Sequence, residues 1–344
     1  MRLLVLFNEH IGVINAFLFL FILINIFTFF LYYSDKKRAI NNKKRISENR
    51  LIFFTLCLGG IGALIGMIRF RHKTKKTKFK VTLFVSMIII IIPMIHIVYS
   101  LTLGRTLYYN EITFYSENWP EELNGYRIGF ISDIHTASNE EIRSVINHLN
   151  TLELDLFILG GDFSMKNNHY RDTLREIAKL NTSDGIFGVE GNHDYVQPLF
   201  REMRNNDIIP LDNEGFHIRD NFFLAGTRDL WKSSPDIKKA TENALDYDFI
   251  LLVTHNPDVT MRQSTEHIDL TLAGHTHGGH VRFFQLPFLL LFNYVTNYGT
   301  RFSGGFAESF DNTPVFVSTG FGDYYGWPRM FTRPEVVIIT MKNK

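Results

Sequence analysis

Two stretches of 23 residues, Ile11–Tyr33 and Val81–Leu103, contain no Asp, Glu, Lys or Arg. A helix needs about 20 apolar residues to cross roughly 30 Å of hydrocarbon, so both are predicted to span a membrane. A cleaved secretion signal is the competing reading of the first stretch. Its exit is the bulky run Phe29, Phe30, Leu31, Tyr32, Tyr33 and not a small-x-small site, so it is expected to stay attached.

A third apolar stretch, Leu51–Ile68, has 18 residues and carries Gly59, Gly60, Gly62 and Gly66. Glycines at four-residue steps suit a close helix-packing face, and Gly59-Gly60 equally suits the bend of a re-entrant hairpin. Basic residues flank it on both sides: Lys36, Lys37, Arg38, Lys43, Lys44, Arg45 and Arg50 before, Arg69, Arg71, Lys73, Lys75, Lys76, Lys78 and Lys80 after. A complete crossing would put one cluster outside, against the positive-inside bias. The flanks therefore favour re-entry, with both clusters cytoplasmic and everything after Leu103 outside the cell. The expectation is a multi-pass protein of the cell membrane.

Charge divides the chain in the same place. Residues 1–110 hold 16 Lys and Arg against three acidic residues (Glu9, Asp35, Glu48), while the remainder holds 20 against 32. Basic loops beside apolar helices are expected to meet anionic lipid headgroups, and no nucleic-acid partner is expected. His96 and Pro93 are read as a helix-buried imidazole and a tolerated membrane proline, not as a proton relay or a functional kink. Cys57, the lone cysteine, can form no internal disulfide and reads as a small buried apolar side chain.

After about Asn110 short β-rich runs alternate with amphipathic segments. Strands are predicted at Arg127–Ser132, Leu154–Leu159, Ile186–Glu190, Phe222–Ala225, Phe249–Thr254, Leu270–Ala273, Val315–Ser318 and Val336–Thr340, and helices at Asn139–Leu149 and Tyr170–Leu180. This alternation predicts an α/β domain with buried sheets. The organisation is then a membrane domain (1–110), a connection (111–125) and a second domain (126–344).

In such sheets functional groups gather past the carboxyl ends of the strands. Five predicted strands run into polar motifs: SDIH (Ser132–His135), GGDF (Gly160–Phe163), GNHD (Gly191–Asp194), THNPD (Thr254–Asp258) and GHTHGG (Gly274–Gly279). Each alone is weak, since Asp133 suits a helix cap and Asp162, Asn192 and Asp194 suit turns. Turn chemistry does not account for four histidines delivered at successive strand exits. Carboxylate, amide and imidazole donors without a thiolate suit Mn, Fe or Zn. The candidate ligands Asp133, His135, Asp162, Asn192, His255, His275 and His277 exceed one tetrahedral site and suffice for two divalent ions, which together can promote in-line phosphoryl transfer to water.

The order Asp-x-His, Gly-Asp, Gly-Asn-His-Asp, a later His and Gly-His-x-His resembles the calcineurin-like metallophosphoesterase superfamily over roughly Tyr126–Met341. STGFGDYYGWPRMFTRPEVVIIT and GTRDLW resemble segments of its membrane-associated bacterial branch. The resemblance implies a β-sandwich flanked by helices, with metal-bound hydroxide attacking phosphorus in line. It implies a first metal on Asp133, His135 and His277, a second on Asn192, His255 and His275, and Asp162 as the bridge. It further implies His193 as the imidazole that protonates the leaving oxygen, with Asp194 orienting it. Thr136 departs from the small apolar residue usual there, which leaves the ligands intact. SDKKRA, the Gly-rich apolar stretch and RFRHKTKK resemble a bacterial membrane domain of unknown function.

The expected substrate is a lipid-linked or envelope phosphodiester or pyrophosphate. Tethering at a bilayer points there, as does the apolar run FFQLPFLLLFNYV (Phe283–Val295), in which Phe288–Phe292 either contact membrane or acyl chains or pack as a loop into the domain's own core. An intracellular nucleotide or protein phosphoesterase, and a phosphate-binding sensor whose membrane region carries the function, are the alternatives.

Overall fold

The computed structural model of the chain describes residues 2–163, 170–283, 286–287, 295–323 and 329–344, with side chains from residue 18 onward apart from those of 283 and 286. It contains two compact units, Met1–Val98 and Tyr99–Lys344.

The helices of the first unit are α1 (Arg2–Ile40), α2 (Glu48–Phe54), α3 (Gly60–Arg69) and α4 (Thr77–Leu101). Three spans, Leu18–Ile40, Glu48–Arg69 and Thr77–Arg105, are long and apolar enough to cross a membrane. The middle one doubles back. Between α2 and α3, Cys57 (φ −75°, ψ 47°) and Leu58 (φ 67°, ψ 7°) leave helical geometry. Its ends then meet, with Glu48 Oε1 lying 2.6 Å from both Lys73 Nζ and Lys76 Nζ. A continuous helix of this length would hold its ends about 33 Å apart.

Polar side chains fasten this hairpin at base and tip. At the base, buried Asp35 accepts from Arg45 Nη2 at 2.7 Å and from the Ile46 N–H at 3.0 Å, and lies 2.7 Å from His72 Nε2. At the tip, Asn25 Nδ2 donates to the Leu58 carbonyl at 3.0 Å, its Oδ1 accepts from the Gly62 N–H at 2.8 Å, and Ser86 Oγ donates to the Thr55 carbonyl at 2.6 Å. Backbone groups freed by a helix break in an apolar layer require such partners. The bend falls at Cys57–Leu58, just before Gly59-Gly60, and the glycines serve close packing: a Cβ on Gly66 would come within 2.9 Å of Tyr32 Cβ on α1. From Asn25 to Asp35 is about 15 Å of helix, half of a roughly 30 Å apolar layer. His96 Nδ1 lies 2.7 Å from the Ile92 carbonyl of its own helix, and Pro93 sits inside α4.

In the second unit the strands are β1 (Tyr108–Ser116), β2 (Arg127–Ile131), β3 (Leu156–Leu159), β4 (Ile186–Gly188), β5 (Ile208–Pro210), β6 (Glu214–Arg219) and β7 (Phe222–Gly226). They continue as β8 (Phe249–Val253), β9 (Leu270–Ala273), β10 (Arg282–Phe283), β11 (Leu286–Pro287), β12 (Gly305–Glu308), β13 (Pro314–Val317) and β14 (Glu335–Asn343). Among the described residues they build two six-stranded sheets, ordered β1-β14-β2-β3-β4-β5 and β12-β13-β9-β8-β7-β6, and the short β10-β11 pair.

The sheets face each other across one core. Ile128 and Phe130 of β2, Leu156 and Ile158 of β3, and Val337 and Ile339 of β14 meet Phe222 and Leu224 of β7, Phe249 and Leu251 of β8, and Leu272 of β9. The intervening residues point outward and are buried as well. On the first sheet Ile131, Phe157, Leu159 and Ile338 pack with α5 (Asn139–Leu149), α6 (Tyr170–Ile177) and α7 (Val196–Arg204). On the second, Phe223, Ala225, Ile250 and Leu252 pack with Ile237 and Ala240. Burial on both faces is why these strands read as continuous apolar runs. The α/β sandwich with helical flanks matches the expected fold class.

One expectation needs correcting. Residues 111–125 do not begin as a connection: Tyr108–Ser116 is a strand paired in parallel with Glu335–Asn343 over its whole length.

Candidate metal centre

Parallel pairing of β2, β3 and β4 in one sheet and of β8 and β9 in the other turns their carboxyl ends the same way. The five polar motifs occupy those exits. The sheets are stitched together there: the His275 N–H donates to Asp133 Oδ2 at 3.0 Å, and His255 Nδ1 lies 2.7 Å from the Gly160 carbonyl. Glycine permits the approach, since a Cβ on Gly274 would stand 2.8 Å from Ser132 Cβ, and one on Gly161 (φ 88°) 2.7 Å from the Gly191 nitrogen. Asp133 (φ 56°), His135 (44°), Asp162 (57°), His275 (70°) and His277 (50°) all occupy the left-handed region. Such backbone is worth about 1–3 kcal/mol of strain per residue and gathers at functional sites.

Five of the seven candidate donors fall into two overlapping groups, while Asn192 and His275 belong to neither. Asp133, His135 and His277 form one and Asp133, Asp162 and His255 the other, each with its donor atoms within 4.8 Å of one another and all buried. In the first, Asp133 Oδ1 is 3.3 Å from His277 Nε2 and 3.8 Å from His135 Nε2. In the second, His255 Nε2 is 3.3 Å from Asp162 Oδ2; outside the group, Asn192 Oδ1 lies 3.1 Å from the same nitrogen. Asp162 Oδ2 is also 3.6 Å from His135 Nε2, so this carboxylate lies between the groups.

Hydrogen bonds fix which imidazole nitrogen is free to ligate. A carbonyl only accepts, so His255 Nδ1 carries a proton toward Gly160, which leaves Nε2, the atom facing Asp162 and Asn192, as the one that a cation would take in place of a proton. His275 Nε2 likewise donates to the Val295 carbonyl at 2.9 Å, leaving Nδ1 as its lone-pair atom. Burial pushes His135 and His275 down to about 3 and His277 well below the ordinary imidazole value, so all three are neutral near pH 7. His255 is the exception: burial lowers its pKa, but the carboxylates of Asp162 and Asp133 outweigh burial and hold it high. Those carboxylates recruit positive charge. Neutral imidazoles, carboxylates and an amide oxygen without thiolate form a donor set that fits two borderline divalent cations.

Above the clusters lies a cavity of about 260 Å³, lined among others by Asp162, Asn192, His193, His275 and His277. The His193 N–H donates to Asp162 Oδ1 at 2.8 Å, and its ring stands 5.5 Å from that of His135. Burial lowers its pKa. Asp194 is engaged with backbone donors. Its Oδ2 accepts from the N–H groups of Asp162 and Gly191, both at 2.8 Å, and its Oδ1 from Phe163 at 3.0 Å. With both oxygens on backbone donors it positions the Asp162 turn.

Sequence reasoning missed several contributors. Ser132 Oγ donates to Asp133 Oδ2 at 2.7 Å. Arg329, buried completely, donates to the carbonyls of Thr319, Gly320 and Gly322. It thereby holds the loop whose Phe321 and Gly322 N–H groups bond the Ser132 and Asp133 carbonyls at 2.8 and 2.7 Å. Trp231 and His280 also line the cavity. Thr136, the departure from the family pattern, donates its hydroxyl to the Asp323 carbonyl at 3.0 Å and so fastens the same loop. The apolar residues Phe288–Phe292 lie outside the described residues.

Residues 126–279 match the family model of calcineurin-like phosphoesterases, and residues 25–79 match a family described as a protein of unknown function (DUF1294). The chain is 28% identical over 240 residues to an uncharacterized metallophosphoesterase of Helicobacter pylori, covering 66% of this chain and 61% of that protein. It is 26% identical over 247 residues to the uncharacterized metallophosphoesterase YkuE of Bacillus subtilis, covering 68% and 85%. A transmembrane protein with metallophosphoesterase domain from Danio rerio is 28% identical over 251 residues, covering 66% of this chain and 55% of that protein.

Proposed function

We propose that the chain, whose residues 126–279 match the family model of calcineurin-like phosphoesterases, works as a membrane-anchored, metal-dependent phosphoesterase with a two-metal centre. Asp133, His135 and His277 would hold one cation, Asn192, His255 and His275 the other, with Asp162 between them. Divalent cations there supply Lewis acidity, making a water more acidic and offsetting charge on the phosphoryl oxygens. His193, on the cavity wall beside Asp162, gives its ring proton to the departing oxygen. The observation that carries this reading is the pair of buried donor clusters sharing Asp133 beneath one cavity.

The hairpin geometry supports a topology. With Glu48 beside Lys73 and Lys76, the basic loops before and after the middle apolar stretch share one face. On the positive-inside bias that face is cytoplasmic, and α4 carries the phosphoesterase domain outside. Tethering there favours a lipid-linked or envelope phosphodiester or pyrophosphate as substrate.

The test is hydrolysis of bis-p-nitrophenyl phosphate by the full chain in detergent, with Mn, Fe or Zn supplied. Asp162→Ala should abolish turnover, and His193→Ala should lower kcat by about 100-fold or more. Full activity in the Asp162→Ala protein would refute a two-metal mechanism. Faster hydrolysis of a lipid-linked ester in mixed micelles than of its water-soluble headgroup analogue is expected; equal rates would sink the lipid reading.

A further inference from the structure

Beside the clusters lies a rim that the hydrolytic reading does not use. Trp231 is 50% exposed, although it lines the cavity and stands edge-to-face against His275, ring centroids 4.5 Å apart. The other tryptophan among the described side chains, Trp119, is fully buried. Tyr195 is 72% exposed two residues after His193. The ammonium of Lys232 sits 5.3 Å from the Tyr195 ring centroid and donates to the Asp194 carbonyl at 3.3 Å.

This rim is held in place from below. Buried Asp229 accepts at one oxygen from the N–H groups of both Trp231 (2.8 Å) and Lys232 (2.9 Å). Its own N–H donates to Glu190 Oε1 at 3.2 Å. Two buried carboxylates thus fix a turn whose side chains face solvent. Aromatic surface kept in water on the rim of a cavity is available as a contact surface for a ligand.

We propose that Trp231, Tyr195 and Lys232 form the subsite for the leaving group, and that it takes a flat ring carrying a further negative charge. The inference rests on the two-metal reading above. Trp231 touches His275 and Lys232 lies beside the segment that carries His193, so the rim borders the side of the centre where the departing oxygen receives its proton. An indole face suits a ring, and an ammonium held over a phenol ring retains donors for an anion.

The test measures binding, not turnover, in the manganese-loaded full chain in detergent, by calorimetry with methyl phosphate, phenyl phosphate and 4-carboxyphenyl phosphate. The natural chain should bind them in increasing order of affinity. Trp231→Ala should weaken phenyl phosphate about five- to tenfold and methyl phosphate less than about twofold, with Trp231→Phe restoring most of the difference. Lys232→Met should erase the advantage of the carboxyl group and leave the ring preference. Equal weakening of methyl and phenyl phosphate in Trp231→Ala, or no ring preference in the natural chain, would overturn the proposal. Absence of hydrolysis together with intact ring-selective binding would instead count against the enzymatic reading.

Discussion

The backbone N–H of His275 lies 3.0 Å from Asp133 Oδ2, and this bond joins the exits of β9 and β2 across the two sheets. Gly274 makes it possible, because a side chain there would collide with Ser132 and the Asp133 carboxylate. Gly274→Ala should destabilise the domain by about 1–3 kcal/mol, as overpacking does. Metal affinity should fall about 10–100-fold, as when the partners that orient a ligand are disturbed. Thermal unfolding and metal content after dialysis check both; a variant with natural metal content would show that this contact does not position Asp133.

Arg329 makes the second prediction. Its guanidinium donates to three carbonyls of the loop that bonds Ser132 and Asp133, and no water-facing surface remains to it. Arg329→Lys keeps the charge but cannot span that fork, and each orphaned buried carbonyl costs about 1–3 kcal/mol. The unfolding midpoint should drop and metal binding weaken. An unchanged midpoint would mean the loop holds itself.

Arg329 also marks where the sequence was silent. Its partners are backbone carbonyls, which leave no signature in side-chain types, although the residue stands in a motif quoted for its resemblance. The backbone partners of Asp194 are illegible for the same reason, being N–H groups of another loop. The candidate ligands were legible because β2, β3, β4, β8 and β9 are buried on both faces, which makes each an apolar run with a sharp polar exit. β1 was not, since its alternating half-exposed pattern at a sheet edge carries no such run.

Edge strand β1 yields the third prediction. A domain released at Thr106 keeps all of Tyr108–Ser116, paired with Glu335–Asn343, and the Asn110 amide that donates to Glu335 at 3.1 Å. Released at Glu117, it leaves β14 as a bare edge open to intermolecular pairing. The longer form should be monomeric and more stable; size-exclusion chromatography and thermal unfolding compare the two. Equal behaviour would make β1 dispensable.

Acid sensitivity follows from the buried imidazoles. His135 and His275 are pushed down to about 3 by burial, and His277 is lowered in the same way. Between that value and about 6.5, where unfolded histidines titrate, the unfolded chain binds more protons than the folded one. Their contribution is therefore complete above about pH 6.5 and is lost as pH falls toward 3. His255, raised by Asp162 and Asp133 against its own burial, acts in the opposite sense, as do Asp133 and Asp194, which burial raises to about 6 and about 8, and together they offset part of the loss. The midpoint of the released domain should decline steadily from pH 7 to pH 4; a flat profile would show that these imidazoles are not held neutral.

The hairpin gives the most direct topological test. Glu48 meets Lys73 and Lys76 only if the stretch between them doubles back, which in a membrane would mean entry and return on one face. Exposed Lys43 and Lys75 lie on its two flanks, and exposed Asn312 lies in the second unit. In a Cys57→Ala background, single cysteines at 43, 75 and 312 can be challenged with a membrane-impermeant maleimide before and after permeabilisation. Positions 43 and 75 should react only after permeabilisation and 312 before it. Labelling of 43 and 75 from opposite faces would mean that the middle segment crosses, and would return the metal centre to the cytoplasmic side.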